Sequence, residues 1–362
     1  MVHDQLNRPL RNLRLSVTDR CNLRCQYCMP EMDYVWLPRE DLLHFEEISR
    51  LVDVFMALGV NHIRLTGGEP LLRRDLSALV GMIAGKEGLN DLALTSNGIL
   101  LADQIDTLKA AGLRRVTVSL DTLRVDRFVK LARFDELARV RRGIEAASRA
   151  FGSLKIDTVV IHGVNDDELA DLIEYGKDVN AEVRFIEYMD VGGATHWSPT
   201  AVVSRKEMLQ RLAARYGGVE AIDEHTSAPA DRYRLADGTV FGIISSTTEP
   251  FCQQCDRSRL TADGMWYLCL YATRGIDLRG ALRGGASVDD LKALITSSWS
   301  GRDDRGAETR LALGERRAFV PVSTLKKNPH LEGWERYREA GITVIDMTTQ
   351  EELDYSRKTH PP

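Results

Sequence analysis

The chain has 362 residues, 43% of them hydrophobic, which is long for one domain and comfortable for two. Its formal net charge of -5 gives no support to a nucleic-acid partner, so an anionic ligand would need a local cluster of Arg and Lys. No run of roughly 18 apolar residues offers a membrane span, and the polar opening from Met1 to Arg14 lacks the apolar stretch of a secretory signal. A reducing cytoplasm is the expected compartment.

In chain order, short apolar runs predict strands at Asn12–Val17, His62–Thr66, Asp91–Ser96, Arg115–Leu120, Lys155–Val160 and Glu182–Tyr188. Helical periods lie between them. Ile48, Leu51, Val52 and Phe55 recur on one face before the stop signal at Gly59, and further helices read from about 74 to 85, 103 to 111, 134 to 150 and 166 to 178. Six such β–α units imply parallel strands joined by right-handed crossovers, short of the eight that close a full barrel. The expected fold is therefore α/β, with a partial (β/α)6 TIM-like barrel over residues 1–219. After Tyr188 the pattern changes. A helix is expected from Ser204 to Arg215, and hairpin turns at Asp237-Gly238 and Asp263-Gly264. A smaller C-terminal domain is assigned to residues 220–362. The run from Asp346 to Pro362 is polar and weakly periodic, and is expected to be a mobile or surface segment.

All six cysteines fall into two triplets, Cys21, Cys25, Cys28 and Cys252, Cys255, Cys269. Clustered cysteines in a cytosolic chain read as metal ligands before disulfides. The first triplet follows the first strand, on a loop at its C-terminal end. Three thiolates can hold three irons of a [4Fe–4S] cube and leave the fourth iron without a protein ligand; a structural zinc site is the alternative, although zinc wants four closed ligands. The second triplet has the same character, and the turn at Asp263-Gly264 would bring Cys269 back beside Cys252 and Cys255. Arg257 and Arg259 alternate just after Cys255, so they share one face of a strand and suit an anion. A solvated strand face is the alternative.

The segment Leu15-Ser-Val-Thr-Asp-Arg-Cys-Asn-Leu-Arg-Cys-Gln-Tyr-Cys28 resembles the signature of the radical S-adenosylmethionine superfamily. The resemblance implies a radical SAM type of barrel, a cluster on Cys21, Cys25 and Cys28, and S-adenosylmethionine as cofactor. It implies cofactor contacts at Tyr27, at Gly68 and Glu69 of Thr66-Gly-Gly-Glu-Pro70, at Ser119 and at Met189. The segment Cys252-Gln-Gln-Cys-Asp-Arg-Ser-Arg-Leu-Thr-Ala-Asp-Gly-Met-Trp-Tyr-Leu-Cys269 closely resembles the C-terminal motif of the GTP 3′,8-cyclase (MoaA) family of molybdenum cofactor biosynthesis. That family implies a second, auxiliary [4Fe–4S] cluster whose open iron takes the guanine. It implies conversion of GTP to (8S)-3′,8-cyclo-7,8-dihydroguanosine 5′-triphosphate, with catalytic roles for Arg257 and Arg259. Nucleotide contacts are implied at Arg14, Arg64, Thr95, Lys155, Arg184, Arg257, Ser258 and Arg259. An external electron donor of flavodoxin or ferredoxin type is implied, with a homodimer as an assembly to test.

The chain departs from that pattern in three places. His62 stands where many members carry Lys, Asp256 replaces an Asn beside the arginines, and the chain ends in Pro361-Pro362 rather than Gly-Gly. Proline has no N–H and a fixed φ, so this ending is not expected to enter the site as the family's does. Arg316, Arg317, Lys326 and Lys327 are then the candidates for supplying the missing contacts. The rival readings are a diverged radical enzyme acting on another nucleotide or on a peptide, and a non-enzymatic zinc or iron–sulfur binding protein.

Overall fold

The computed structural model describes residues 1–191, 196–224, 227–313, 316, 319–321 and 343–345. The expectations for Asp346–Pro362, Arg317, Lys326 and Lys327 lie outside those residues.

Six parallel strands stand side by side in chain order: β1 (Asn12–Ser16), β2 (His62–Thr66), β3 (Asp91–Ser96), β4 (Arg115–Ser119), β5 (Leu154–Val160) and β6 (Ala181–Glu187). Their connections carry α1 (Phe45–Ala57), α2 (Leu76–Ala84), α3 (Leu101–Ala110), α4 (Val125–Ala132), α5 (Leu137–Phe151) and α6 (Leu169–Asp178). Every expected strand is present within a residue of its limits. The expected helix at 134–150 is preceded by a separate one, α4, which ends where Arg133 turns left-handed at φ 71°.

Burial along β1 and β2 alternates, with Leu13, Leu15, Ile63 and Leu65 almost inaccessible and Asn12, Arg14, His62 and Arg64 partly open. Alternate side chains of a strand point to opposite faces. The buried set meets the helices, and the polar set lines an interior. Each fully buried Leu or Ile contributes about 1.5–3 kcal/mol, so this outer face fixes the register and with it the inner row.

The remaining elements extend both edges of the same sheet. After α7 (Arg205–Tyr216) come β7 (Val219–Ile222), β8 (Asp231–Leu235), β9 (Val240–Ile244), β10 (Arg257–Leu260), β11 (Met265–Tyr267) and β12 (Ile276–Asp277). The order across the twelve-stranded sheet is β12-β11-β10-β1-β2-β3-β4-β5-β6-β9-β8-β7. Strand β10 is parallel to β1, and β9 to β6; the sheet stays open between its two ends. Hairpins join β8 to β9 and β10 to β11, with Gly238 and Gly264 at φ 88° and 82° in the expected turns. Ser204 caps α7 by accepting from the Glu207 N–H, and Gly217 ends it at φ 77°. Helices α8 (Leu278–Arg283), α9 (Val288–Ser300) and α10 (Gly306–Leu311) follow. Trp266 of β11 sits 5.4 Å from Phe55 of α1 and 6.3 Å from Trp299 of α9, ring centre to ring centre, which locks the late chain onto the first helix. A short parallel pair, β13 (Phe319–Pro321) with β14 (Thr343–Ile345), is the last described structure. No helix among the described residues is long and apolar enough to cross a membrane.

Candidate active site

Because β1 to β6 are parallel, the loops that follow them share one end of the barrel. Cys21, Cys25 and Cys28 lie there, on the loop after β1. The loop is tied to the C-terminal end of α4, where Ala132 and Leu131 carbonyls accept from the Arg24 and Gln26 N–H groups. The Arg24 guanidinium donates to the carbonyls of Cys21 and Leu23 and lies over the rings of Tyr34 and Trp36. Burial raises all three thiols, with repulsion from Glu69 adding at Cys21 and from neighbouring thiols at Cys25 and Cys28; Cys28 is pushed up to about 11 although it reaches the surface.

Gly67 and Gly68 sit against this loop. A Cβ on Gly68 would lie 2.2 Å from the Arg20 carbonyl oxygen, and one on Gly67 2.7 Å from that of Thr18. The close approach these glycines permit is therefore to the cysteine loop. Glu69 is buried; it accepts from the Leu71 N–H, the Ser96 hydroxyl and the Asn97 N–H at 3.1, 2.9 and 2.7 Å, and burial pushes its carboxyl up to about 7. Asn97 continues the chain of contacts to Asn22, with its Nδ2 4.0 Å from the Cys21 sulfur. Tyr27 donates its hydroxyl to Asp121 at 2.6 Å, at the end of β4. Ser119 closes β4 and Met189 follows β6, so all five expected cofactor contacts occupy the same end of the barrel as the first triplet.

The second triplet lies at the other end. Cys252 and Cys255 precede β10, and Cys269 returns beside them after the antiparallel β11. Arg257 donates to the Cys255 sulfur at 3.5 Å and, with Arg302, outweighs burial to bring that thiol down to about 7. Burial raises Cys252, and pushes Cys269 up to about 11. Among the described residues no three His, Cys, Asp or Glu side chains converge as one metal ion requires. Each triplet is a set of neighbouring soft donors without oxygen or nitrogen ligands, which fits an iron–sulfur cluster.

Between the two ends runs a row of cations. Register places Arg259, Arg14 and Arg64 side by side on β10, β1 and β2, and Thr95, Thr117 and Lys155 side by side on β3, β4 and β5; Lys155 then faces Glu182 on β6, and Arg184 faces Asp157 of β5. Arg64 donates to the hydroxyls of Thr95 and Thr117 at 2.8 and 3.0 Å. Burial and then Arg259, Arg257 and Arg64 hold Arg14 well below the usual guanidinium range. Burial, with Arg115 and Arg184 adding repulsion, brings Arg64 to about 10. Asp157, Glu182 and, at Arg64, Asp91 oppose this charge, and Asp91 is taken up by Arg115. Glu182 is engaged by Arg184 and Arg232, whereas the Asp157 Oδ1 is buried with no hydrogen-bond partner. A surplus of buried positive charge is costly unless an anion enters.

Ser258 differs from its neighbours. It is paired with Leu13 on the helix-facing side, fully buried, so strand alternation turns its hydroxyl away from the row. His62 bonds Asn61 at 2.5 Å and burial lowers its pKa, so it does not add a positive charge to the row. The Asp256 carboxylate accepts from Asn12 and from Ser227, both at 2.7 Å, at the foot of β1. Arg316 is held by Asp190 at 2.7 Å.

Several contributors were not picked out from the sequence. Asp157 and Glu182 could have been, because Lys155-x-Asp157 and Glu182-x-Arg184 repeat the alternation used for Arg257 and Arg259. Asp4, Arg8 and Arg302 could not. Arg8 is buried, bonds Asp4 at 2.5 Å, and donates to the carbonyls of Cys252 and Asp304 at 2.9 and 2.8 Å; Arg302 donates to the Cys255 carbonyl at 2.9 Å. Arg8 lies 244 and 296 residues from Cys252 and Asp304, and Arg302 lies 47 from Cys255.

Two family models match this chain: the Radical SAM superfamily over residues 15–176 and Molybdenum Cofactor Synthesis C over residues 181–308. It is 58% identical over 336 residues to GTP 3′,8-cyclase 1 of Mycobacterium tuberculosis (strain ATCC 25618 / H37Rv), covering 91% of this chain and 94% of that one. It is 47% identical over 320 residues to GTP 3′,8-cyclase of Acidothermus cellulolyticus, covering 85% and 88%. Among solved structures, Streptococcus suis SuiB bound to S-adenosylmethionine superposes with a TM-score of 0.56 at 12% identity, over 84% of this chain and 66% of that one. That likeness is one of fold.

Proposed function

The chain belongs to the GTP 3′,8-cyclase family of the radical SAM superfamily, and we propose that it converts GTP to (8S)-3′,8-cyclo-7,8-dihydroguanosine 5′-triphosphate, with one [4Fe–4S] cluster on Cys21, Cys25 and Cys28 and a second on Cys252, Cys255 and Cys269. The observation that carries the reading is the row of buried cations strung between the two triplets. In it Arg259, Arg14, Arg64, Lys155 and Arg184 would hold the triphosphate, with Thr95 beside them. The orphaned Asp157 oxygen is an acceptor for a nucleoside hydroxyl.

S-adenosylmethionine bound at the first triplet would supply the radical that removes the ribose 3′ hydrogen. The chain's own part is positioning. Tyr27, Gly68, Glu69, Ser119 and Met189 shape the cofactor's place, with Glu69 acting through the segment it braces. Arg257, its guanidinium 4.7 Å from the Phe251 ring centre and bonded to the Cys255 sulfur, sets the second triplet against the nucleotide. The cation row excludes bulk water from the phosphates and holds the ribose between the two ends. Ser258 supports β10 from behind. Residues 1–219 would then house the cofactor chemistry and 220–362 the second cluster. An external low-potential donor of flavodoxin or ferredoxin type would supply the electron. The cytoplasm is the compartment proposed.

Anaerobic turnover of reconstituted protein with S-adenosylmethionine, a reductant and a panel of purine and pyrimidine triphosphates tests this. Cyclised product from GTP alone is expected, with about eight irons per chain and no zinc. Replacing Cys25 with Ala should halve the iron and abolish cofactor cleavage. Replacing Cys255 should halve the iron and leave abortive cleavage to deoxyadenosine. Turnover of another nucleotide but not GTP would overturn the substrate, and full iron in either variant would overturn the cluster assignment.

A further inference from the structure

The sheet is open, and one buried carboxylate joins the end of β6 to segments that follow β11. Asp190 follows β6 and is inaccessible to solvent. It accepts from the Tyr271 hydroxyl at 2.7 Å, from Arg310 Nε at 2.9 Å, and from Arg316 Nε and Nη2 at 2.7 and 2.9 Å. Tyr271 is two residues beyond Cys269 and packs against Met189, Val191, Cys269 and Ala307. Arg310 belongs to α10, whose first turn presents the Ala307 and Glu308 N–H groups to the Cys252 sulfur. A Cβ on Gly306, at the start of α10, would lie 3.0 Å from the Cys269 sulfur. Arg316 also donates to the Thr247 carbonyl and lies over the Trp197 ring. Tyr271 and Arg310 thus come from segments that carry or touch the second triplet, while Asp190 itself belongs to the strand end next to Met189.

We propose that Asp190 is a positioning residue that ties the end of β6 to the segments following β11 and sets the second triplet at a fixed place relative to the C-terminal end of β6. The proposal rests on the reading that the triplets carry two clusters flanking one nucleotide. If Asp190 loosens, both clusters still form and the cofactor is still cleaved, but the nucleotide held at the second triplet is no longer aligned with the radical. Asn at this position keeps the shape and loses the charge, and turns an amide N–H₂ towards cations.

The test compares wild-type, Asp190→Asn and Tyr271→Phe holoenzymes under anaerobic conditions. Three measurements are made: hydrogen exchange of residues 269–273 and 306–311, the EPR line shape of the reduced second cluster, and the ratio of deoxyadenosine to cyclised nucleotide. In Asp190→Asn, exchange in those segments should rise about tenfold while β2–β4 stay unchanged. Iron content should hold, the second cluster's EPR signal should broaden, and the deoxyadenosine ratio should rise about tenfold. Tyr271→Phe should move the same quantities about threefold, and it decides the matter should the Asn variant not fold. Exchange and EPR line shape within experimental error of wild type would overturn the proposal, as would a rise in exchange spread evenly over the barrel. Failure of the cyclase reading would show separately, as wild-type holoenzyme that makes no cyclised nucleotide while the exchange and EPR comparisons still stand.

Discussion

Lys155 is brought down to about 8, first by burial and then by the repulsion of Arg184, against the pull of Glu182. A bound triphosphate would return it to its charged form. Binding then takes up a proton above pH 8, so affinity should be full below about 8 and fall up to tenfold per pH unit above it. Titration calorimetry across that range should show the fall in wild type and a flat, weaker profile in Lys155→Gln. In the free protein the sign reverses: the depressed amine costs stability while charged, and that cost is relieved as pH rises from 8 towards the ordinary lysine range. Arg259 offers a second residue-scale test. Its neighbours Arg14 and Arg257 are cations. Removing it should cost about 1.5–3 kcal/mol of nucleotide binding, roughly ten- to a hundredfold in Kd. Without ligand, the same Arg259→Ala variant should melt at the wild-type temperature or slightly above, since a repulsion is relieved. Early melting with unchanged binding would assign Arg259 to the fold. The alternation of Arg257 and Arg259 was legible in the sequence, whereas the contact at Ser258 was implied by the resemblance alone, and the strand places Ser258 on the face opposite the two arginines.

At the scale of the element, the loop after β2 shows how a motif's residues can carry a different physical reason from the one first read. The resemblance implies that Gly68 of Thr66–Pro70 touches the cofactor. The structure sets the two glycines against the backbone of residues 18–20. Gly68→Ala should therefore displace the cysteine loop itself. The measurable outcome is loss of about half the iron, from the first triplet, even when S-adenosylmethionine is absent during reconstitution. Unchanged iron with weakened cofactor affinity would favour direct ligand contact instead. The loop of the second triplet depends on an element far away in sequence, because Arg8 and Arg302 supply donors to its carbonyls around the buried Asp4. Arg8→Ala leaves the Cys252 and Asp304 carbonyls without that donor and the buried carboxylate with one partner fewer. Breaking such a pair costs about 3–5 kcal/mol, and denaturant melts should show it. The iron lost on mild chelation should come from the second triplet first.

At the scale of the whole molecule, the six parallel strands were legible because each carries an apolar run bounded by turn residues. Their order followed because right-handed crossovers lay successive strands side by side. The twelve-stranded continuity was not legible. Short segments such as Arg257–Leu260 and Met265–Tyr267 have no periodicity long enough to declare which edge they join. The amino-acid sequence by itself determined the donor sets and the outer face: six cysteines in two short-range triplets, and Leu, Ile, Val or Phe at most alternate strand positions. Those depend on residues close together in the chain, where spacing and alternation are fixed by backbone geometry. Only the tertiary structure decided that the triplets sit at opposite ends of one barrel, that the cations of β10, β1, β2, β5 and β6 line one interior, that Arg8 and Arg302 bond the loop of the second triplet around Asp4, and that Arg310 meets Asp190. Those facts are set by strand register and by contacts between distant segments. Nothing local in the chain encodes them, because the energy that selects them comes from burying the other face of the same strands.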